Sequence, residues 1–323
     1  MTPEGGRTWG YWTQLKLAML RDYLTRFSVA SKAQPERIYL DAFAGEGSGR
    51  DRLTGEEFRG SARIALDIDD GSGFTQFRYF ELGAKAAELE AALRVDYPGR
   101  DIKVFPGDCN ITIPRALAEL KELNWAPTFA FVDPDGMEVA WETLAALADH
   151  KRGYRAASSS KPEYKVEIWM LFPSAGIMRT LALDAHTLPD RDVTRASRLF
   201  GTQQWRSIYE LRRSGVMSAK QAREEYVNLM RWRLETDLGY RYTHPFELCN
   251  STGAPLYHMI LATDNDAGTR IMSAIYTNAA RTVPEMRQQA RDRRQGQQAF
   301  SFDVDVAAEQ ASYAYEPPWE PRG

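Results

Sequence analysis

The chain has 323 residues, 43% of them hydrophobic and 26% charged, with a formal net charge of −3. That length suits one elaborated domain or two small ones around a sizeable core. The slight acidity excludes binding to nucleic acid through bulk positive charge, although not through a local basic face. No apolar run approaches the roughly 20 residues of a membrane helix. Residues 1–10 are polar and lack the basic-then-apolar order of a signal peptide. A cytoplasmic protein without membrane association is therefore expected. Cys109 and Cys249 are the two cysteines; they exclude a four-cysteine metal site and read as buried thiols in a reducing compartment.

Tyr11, Leu15, Leu20, Tyr23, Leu24 and Phe27 fall at helical spacing and predict a first helix beginning near Trp9. Residues 37–41 are a short apolar run that ends in Asp41 and breaks into Ala42-Phe43-Ala44-Gly45-Glu46-Gly47-Ser48-Gly49. A buried parallel strand opens into a ligand-binding loop in this way. Glycine serves there because the backbone takes positive φ and no Cβ holds a ligand off. Residues 46–59, rich in glycine and charge, read as a mobile loop.

A helix opened by Ser61 follows, then a second strand over 77–81 ending in Glu81, and a helix over 84–95. A third strand at 102–105 leads into Gly107-Asp108-Cys109-Asn110 and a helix to about Leu123. The fourth strand, 128–133, ends in Asp133. Strand, acid and helix thus repeat four times, which implies right-handed crossovers and a parallel sheet covered on both faces. The acids then share one sheet edge, where open α/β folds bind ligands.

A polar linker over 151–161 precedes a fifth strand, 166–172, stopped by Pro173-Ser174-Ala175-Gly176. Residues 177–238 are helical, arginine-rich and aromatic. Two strands at 246–249 and 257–263, with turn residues between them, predict an antiparallel hairpin, and a last helix runs over 267–280. The remainder carries glutamines and a proline-rich end, and a partly disordered or surface-docked tail is expected. The organisation expected is an α/β Rossmann-like domain (1–176 and 239–281), a helical insertion or cap (177–238) and a C-terminal tail (282–323).

The strand-end residues divide into roles. The Asp41, Phe43, Ala44, Gly45, Gly47 loop would meet a charged moiety through backbone amides. Glu81 is placed to accept from both hydroxyls of a ribose. Asp108, with Cys109 and Asn110, would face an adenine amino group, and Asp133 opens Asp133-Pro134-Asp135-Gly136 where a transferred group would emerge. The loop lacks the three-glycine spacing that seats a pyrophosphate. Carboxylates also repel phosphate, so a phosphate-free nucleoside cofactor fits better than a dinucleotide.

This parallel core closed by a hairpin, with its ladder of acids, resembles the class I S-adenosylmethionine-dependent methyltransferases. The resemblance implies a seven-stranded methyltransferase fold and S-adenosyl-L-methionine as cofactor. Trp12, Lys16 and Tyr23, Asp41-Ala42-Phe43-Ala44-Gly45, Gly60-Ser61, Phe80-Glu81, Gly107-Asp108-Cys109-Asn110, Asp133-Pro134-Asp135-Gly136, Phe200-Gly201 with Trp205, and Pro255-Leu256-Tyr257 narrow it. Together they look like the three-Cys-motif partner proteins, which implies a neighbouring protein that carries three cysteines. Asp133-Pro134-Asp135-Gly136 also resembles the Asp-Pro-x-Gly of tRNA guanine-N2 methyltransferases. An exocyclic amine is a poor nucleophile, and a carboxylate accepting its N–H raises its electron density and can take the proton. Asp133, Pro134 and Asp135 are accordingly the catalytic candidates, with RNA or DNA as substrate. The motif lacks an aromatic at its fourth place, so another residue must stack a flipped base.

Plainer readings stand beside these. Asp108 would serve equally as a helix cap, Cys109 as a packed thiol and Lys16 as a solvent-facing lysine. His150, His186, His244 and His258 show no metal spacing. Phe200, Trp205, Tyr209, Tyr226 and Trp232, interleaved with arginines over 191–241, read either as a nucleic-acid face or as ordinary amphipathic helices. The competing functions are a small-molecule methyltransferase, a non-catalytic partner of a three-cysteine-motif protein, and a nucleotide-processing defence protein.

Overall fold

The computed structural model describes residues 8–51, 55, 57–68, 71–151, 164–183, 188–294 and 313–322. His186 and nearly all of the linker expected at 151–161 lie outside them. The strands are β1 (Thr8–Trp9), β2 (Ile38–Asp41), β3 (Ser48–Asp51), β4 (Glu57–Arg59), β5 (Gln76–Glu81), β6 (Asp101–Pro106), β7 (Thr128–Val132), β8 (Glu167–Phe172), β9 (Tyr242–Cys249) and β10 (Pro255–Thr263). Helices α1 (Tyr11–Ala30), α2 (Ser61–Leu66), α3 (Ala84–Asp96), α4 (Cys109–Glu119) and α5 (Trp141–Asp149) alternate with the parallel strands. Then come α6 (Ser174–Thr180), α7 (Asp190–Phe200), α8 (Trp205–Arg213) and α9 (Ala219–Thr236), with α10 (Asp266–Arg294) after the hairpin.

Seven strands form one sheet in the order β6-β5-β2-β7-β8-β10-β9. The first five are parallel, and β10 runs antiparallel between β8 and β9. This is the Rossmann-like methyltransferase fold, with its terminal hairpin and a helical insertion. The order reverses at β2, so the edge near β2 and β7 is a topological switch point.

Side chains alternate strictly across the sheet, as a period of two requires. Ile38, Leu40, Ala130, Val132, Ile168, Met170 and Phe172 face the core shared with α4 to α9. Tyr39, Phe129, Phe131, Trp169 and Leu171 face the other core, shared with α1, α2, α3 and α10. The insertion thus completes one face of the sheet. Gly201 ends α7 at φ +61°, and a Cβ there would lie 2.3 Å from the Trp141 ring, so only glycine lets α7 close on α5.

Two expectations are corrected. Residues 46–59 are not simply a loop: β3 and β4 pair antiparallel, and β3 also pairs with β1, giving a small three-stranded sheet. A cleft of about 470 Å³ beside it is lined by Arg59 and Arg63, already paired with Asp67 and Asp96. The last helix runs on through Pro284 to Arg294, with Val283 and Met286 packed on the same core as Ile275, Tyr276 and Ala279. Tail residues 313–322 are docked against the body, whereas 295–312 lie outside the described residues. Helix α5, which completes the fourth strand-acid-helix repeat, fills the crossover between β7 and β8 through Leu144 and Leu147. No helix among the described residues is long and apolar enough to cross a membrane.

Candidate active site

The carboxyl ends of β2, β5, β6 and β7 form a continuous rim joined by hydrogen bonds. The Ala44 N–H donates to the Phe80 carbonyl at 3.1 Å, and the Gly107 N–H donates to the Glu81 carbonyl at 2.9 Å. Gly45 takes φ +60° with open space where a Cβ would stand. Its N–H donates to Glu81 Oε2 at 2.8 Å, while Glu81 Oε1 accepts from the Leu82 N–H at 2.8 Å. Glu81 is half-buried and keeps lone pairs on both oxygens, so it can still accept from a ligand. Leu82 is 64% exposed and Ile111 55%. Large apolar side chains so exposed on a polar rim suit the face of a flat ring. Sequence reasoning passed over both, although an apolar residue directly after a strand-end acid is a readable signal.

Asp41 departs from its expected role. Its carboxylate is fully buried, accepting from the Tyr39 hydroxyl at 3.2 Å, the Phe43 N–H at 3.3 Å and the Ser61 side chain. Burial pushes its carboxyl up to about 7, against these hydrogen bonds. Asp41 therefore shapes the loop from below and is not presented to a ligand. Ala44 and Gly47 are also buried, and Phe43 is half-buried against the core under the insertion. Gly47 at φ +70° abuts Arg63 and Leu89, which makes it a packing glycine. The backbone N–H groups of residues 43–45 are likewise spent within the protein, on Asp41, the Phe80 carbonyl and Glu81. The expectation that the loop meets a charged moiety through these amides is thus corrected, and what it offers is the open space beside Gly45.

Asp108 caps α4, accepting from the Asn110 N–H at 2.9 Å. Burial opposes its charge, but Asn110 and the Arg198 guanidinium at 3.5 Å outweigh that and hold its carboxyl below the usual range. Arg198 lies on α7, so the insertion reaches the rim here. Asn110 spends its amide on protein: Nδ2 donates to Asp108 and the Glu138 carbonyl, and Oδ1 accepts from Ala140 and Thr143. It braces the loop after β7. Burial, then the Asp108 charge, push the Cys109 thiol up to about 12, so Cys109 packs and does not attack.

Asp133 sits where the sequence placed it, at the end of β7, and carries a partner the motif alone could not reveal. Lys16 Nζ, on α1 and 4% exposed, donates to Asp133 Oδ2 at 2.5 Å. Asp133 Oδ1 is buried and has no hydrogen-bond partner among the described residues. Beside them stands Tyr257 of β10, its ring centre 5.6 Å from Lys16 Nζ and its hydroxyl likewise buried and unpartnered among the described residues. Burial, then the Asp133 charge, push Tyr257 well above the usual phenol range, so it stays a donor. The Tyr11 hydroxyl closes the corner on the Cys249 carbonyl at 2.8 Å. Pro134 is buried behind the turn and Asp135 is exposed on it.

A second polar line joins the end of β8 to the hairpin. Ser174 Oγ lies 2.9 Å from His258 Nδ1, and His258 Nε2 lies 3.8 Å from Glu247. Ser174 is fully buried, and burial lowers His258 to about 3, so this neutral bridge is part of the packing. Phe200, Trp205, Tyr209 and Tyr226 are buried in the core under the insertion and cannot stack exposed bases, which corrects that part of the nucleic-acid-face reading. Cys109 and Cys249 are free thiols. Among the described residues no cluster of His, Cys, Asp or Glu is placed to hold a metal.

No protein-family model and no curated protein matches the chain. Among solved structures it is similar to LPL1258 of Legionella pneumophila strain Philadelphia 1, of family DUF519. That likeness has 10% identity and a TM-score of 0.46, and covers 84% of this chain and 92% of that one. It is also similar to a protein of Porphyromonas gingivalis W83 provisionally named a methyltransferase. There the identity is 17% and the TM-score 0.25, over 49% of this chain and 33% of that one.

Proposed function

We propose that the chain is an S-adenosylmethionine-dependent methyltransferase that methylates an amine, with an exocyclic amine of a nucleic-acid base as the first acceptor to test. The observation that carries this reading is Asp133, with one carboxylate oxygen held by a buried lysine and the other buried without a partner among the described residues. An unsatisfied buried acceptor costs roughly 1–3 kcal/mol. An acceptor amine donating to Oδ1 would offset that cost.

The residues present suit the cofactor. Glu81 would accept from the ribose hydroxyls, Leu82 and Ile111 would flank the adenine, Asp108 would meet its amino group, and the open space beside Gly45 would admit the amino-acid end. When bound, S-adenosylmethionine supplies an electrophilic methyl group on a sulfonium. Asp133 Oδ1 accepts the amine N–H, orients the lone pair for in-line attack, and takes the proton released. Lys16 fixes Oδ2 and keeps the carboxylate from turning inward. Pro134 sets the turn that aims it. Helices α6 to α9 serve as the cap of this site, with Arg198 as their contact to the rim. The resemblance to three-Cys-motif partner proteins adds a three-cysteine protein as partner, in a reducing cytoplasm that suits both thiols. A second reading, a small-molecule amine as acceptor, gains from the burial of the insertion's aromatics.

Radiolabelled S-adenosylmethionine incubated with tRNA, rRNA, DNA and a panel of small amines tests the proposal. We expect label transfer by the wild type and a loss on the order of 100-fold or more in Asp133→Asn, with cofactor affinity within about threefold. Asparagine is chosen because alanine would strand Lys16 without a partner. Turnover unchanged in Asp133→Asn would remove Asp133 from the mechanism. Binding of the acceptor that weakens steeply with salt marks a nucleic acid, and salt-independent binding marks a small molecule.

A further inference from the structure

The C-terminal segment crosses α9 and β9 without joining a helix or a strand. Glu225, Asn228, Arg231 and Glu235 follow one another at three- and four-residue steps, so they form one stripe along α9. Glu225 is 4% exposed, Asn228 1% and Arg231 5%. A buried polar stripe is costly unless it finds partners. Its partners are residues 313–322, Tyr-Ala-Tyr-Glu-Pro-Pro-Trp-Glu-Pro-Arg.

Asn228 holds one residue of this segment from both sides. Its Nδ2 donates to the Trp319 carbonyl at 2.8 Å, and its Oδ1 accepts from the Trp319 N–H at 3.0 Å. Arg231 is fixed on Thr243 by two hydrogen bonds of 3.0 Å and donates to the Glu316 carbonyl. Glu225 accepts from the Trp319 indole N–H at 3.2 Å and pairs with Arg322 at 3.2 Å. Glu235 accepts from the Tyr315 hydroxyl at 2.9 Å. Tyr313 packs on Phe246 and Tyr276, and Tyr315 on Tyr242 and His244.

Main-chain bonds select an extended conformation, and the aromatic and indole contacts select sequence; peptide-recognition grooves divide the work in the same way. Pro317 and Pro318 pre-set that extended conformation and lower the ordering cost. Trp319 remains 49% exposed, so this part of the segment lies on the outside of the body, and the segment can leave without breaking any strand pairing of the sheet. Residues 295–312 separate it from the last helix.

We infer that α9 and β9 form a peptide-recognition site for an extended aromatic-x-aromatic-x-Pro-Pro-Trp segment, and that the chain's own residues 313–322 are its resident ligand in cis. A tethered ligand experiences an effective concentration on the order of millimolar, so it blocks the groove against the same peptide added in solution.

The test uses the full-length chain carrying Tyr315→Ala and Trp319→Ala, titrated with a fluorescent synthetic peptide of residues 313–322 and followed by anisotropy. We expect saturable binding to this variant at least about tenfold tighter than to the wild type, lost again when Asn228→Ala is added. Absence of saturable binding, or equal affinity for variant and wild type, overturns the inference. Hydrogen exchange on the wild type decides the matter without relying on the variants' folding. The Trp319 amide should exchange through a local opening, faster than the β2 and β7 amides. Exchange of Trp319 only at the rate of global unfolding would make the segment a fixed part of the fold and end the proposal.

Discussion

Asp41 and Asp133 end neighbouring parallel strands, β2 and β7, and both follow an apolar run. Their surroundings are opposite. The Asp41 carboxylate is sealed under its own loop by three donors, whereas Asp133 has one oxygen on a lysine and the other buried without a partner among the described residues. A strand-end acid can therefore be the scaffold of a loop or the group the loop presents. The difference lies in which donors surround it, and those arrive from Ser61 and Lys16, far away in sequence. Along the chain the four acids are each a strand-end carboxylate with a separate expected role; in space Asp41 builds the rim, Asp108 caps a helix within it, and Glu81 and Asp133 retain acceptor capacity.

The comparison can be tested from both sides. The largest expected effect is on stability against pH. Burial raises Asp41 from 3.8 to about 7 and Glu167 from 4.5 to about 7 in the fold. The unfolded chain loses these protons first as pH rises. Stability from these two groups is therefore greatest below about pH 4, declines through pH 7, and is flat above it. Asp41→Asn should remove a part of that decline worth up to about 4 kcal/mol, read by urea unfolding from pH 4 to 8, since each tenfold change in a proton-binding constant is about 1.4 kcal/mol. Glu167→Gln should remove a similar part, because the amide does not titrate; it keeps one oxygen for Tyr23 or Thr263, and the other hydroxyl can turn to accept from the amide N–H. Stability rising between pH 4 and 7, or an unchanged slope in both variants, would contradict the burial of these carboxylates.

Next is Asp41→Ala at pH 5, which leaves the Tyr39, Phe43 and Ser61 donors without their acceptor. It should cost about 2–3 kcal/mol in urea unfolding, with cofactor affinity falling only as far as the loop loosens. Normal stability with cofactor binding abolished would make Asp41 a ligand contact and erase the contrast with Asp133. The smallest effect is at Lys16. Lys16→Met should lower kcat about tenfold with cofactor affinity nearly unchanged, and Lys16→Arg should restore part of it, as befits a positioning residue. Equal losses in Met and Arg variants, tracking a fall in thermal midpoint, would reduce Lys16 to a packing role.

The strands of the sheet were legible because short apolar runs with abrupt acidic or glycine-bearing ends leave marks within a few residues, whereas the seven-stranded arrangement came from the resemblance. Leu40 and Tyr39 face different cores and still announce one strand. The small sheet was not legible, since Ser48-Gly49-Arg50-Asp51 carries no strand composition and its Arg50 and Asp51 pair with Thr8 and Trp9, remote in sequence. Lys16 read as a surface lysine because nothing local distinguishes a buried one; its partner is 117 positions away. The insertion's aromatics looked like a stacking surface for the same reason: alternation of arginine with ring gives no sign of which one points inward. Docking of the C-terminal segment was anticipated only as one alternative, and its receptor, the polar stripe of α9, resembles any solvated helix face until its burial is known.

Calorimetric titration of S-adenosylmethionine into the wild-type chain and into Glu81→Ala tests the central claim most directly. We predict saturable binding at one site per chain, weakened at least about tenfold, or 1.4 kcal/mol, by Glu81→Ala. A wild type that takes up no S-adenosylmethionine, or a Glu81→Ala chain that binds it as tightly, would contradict the account.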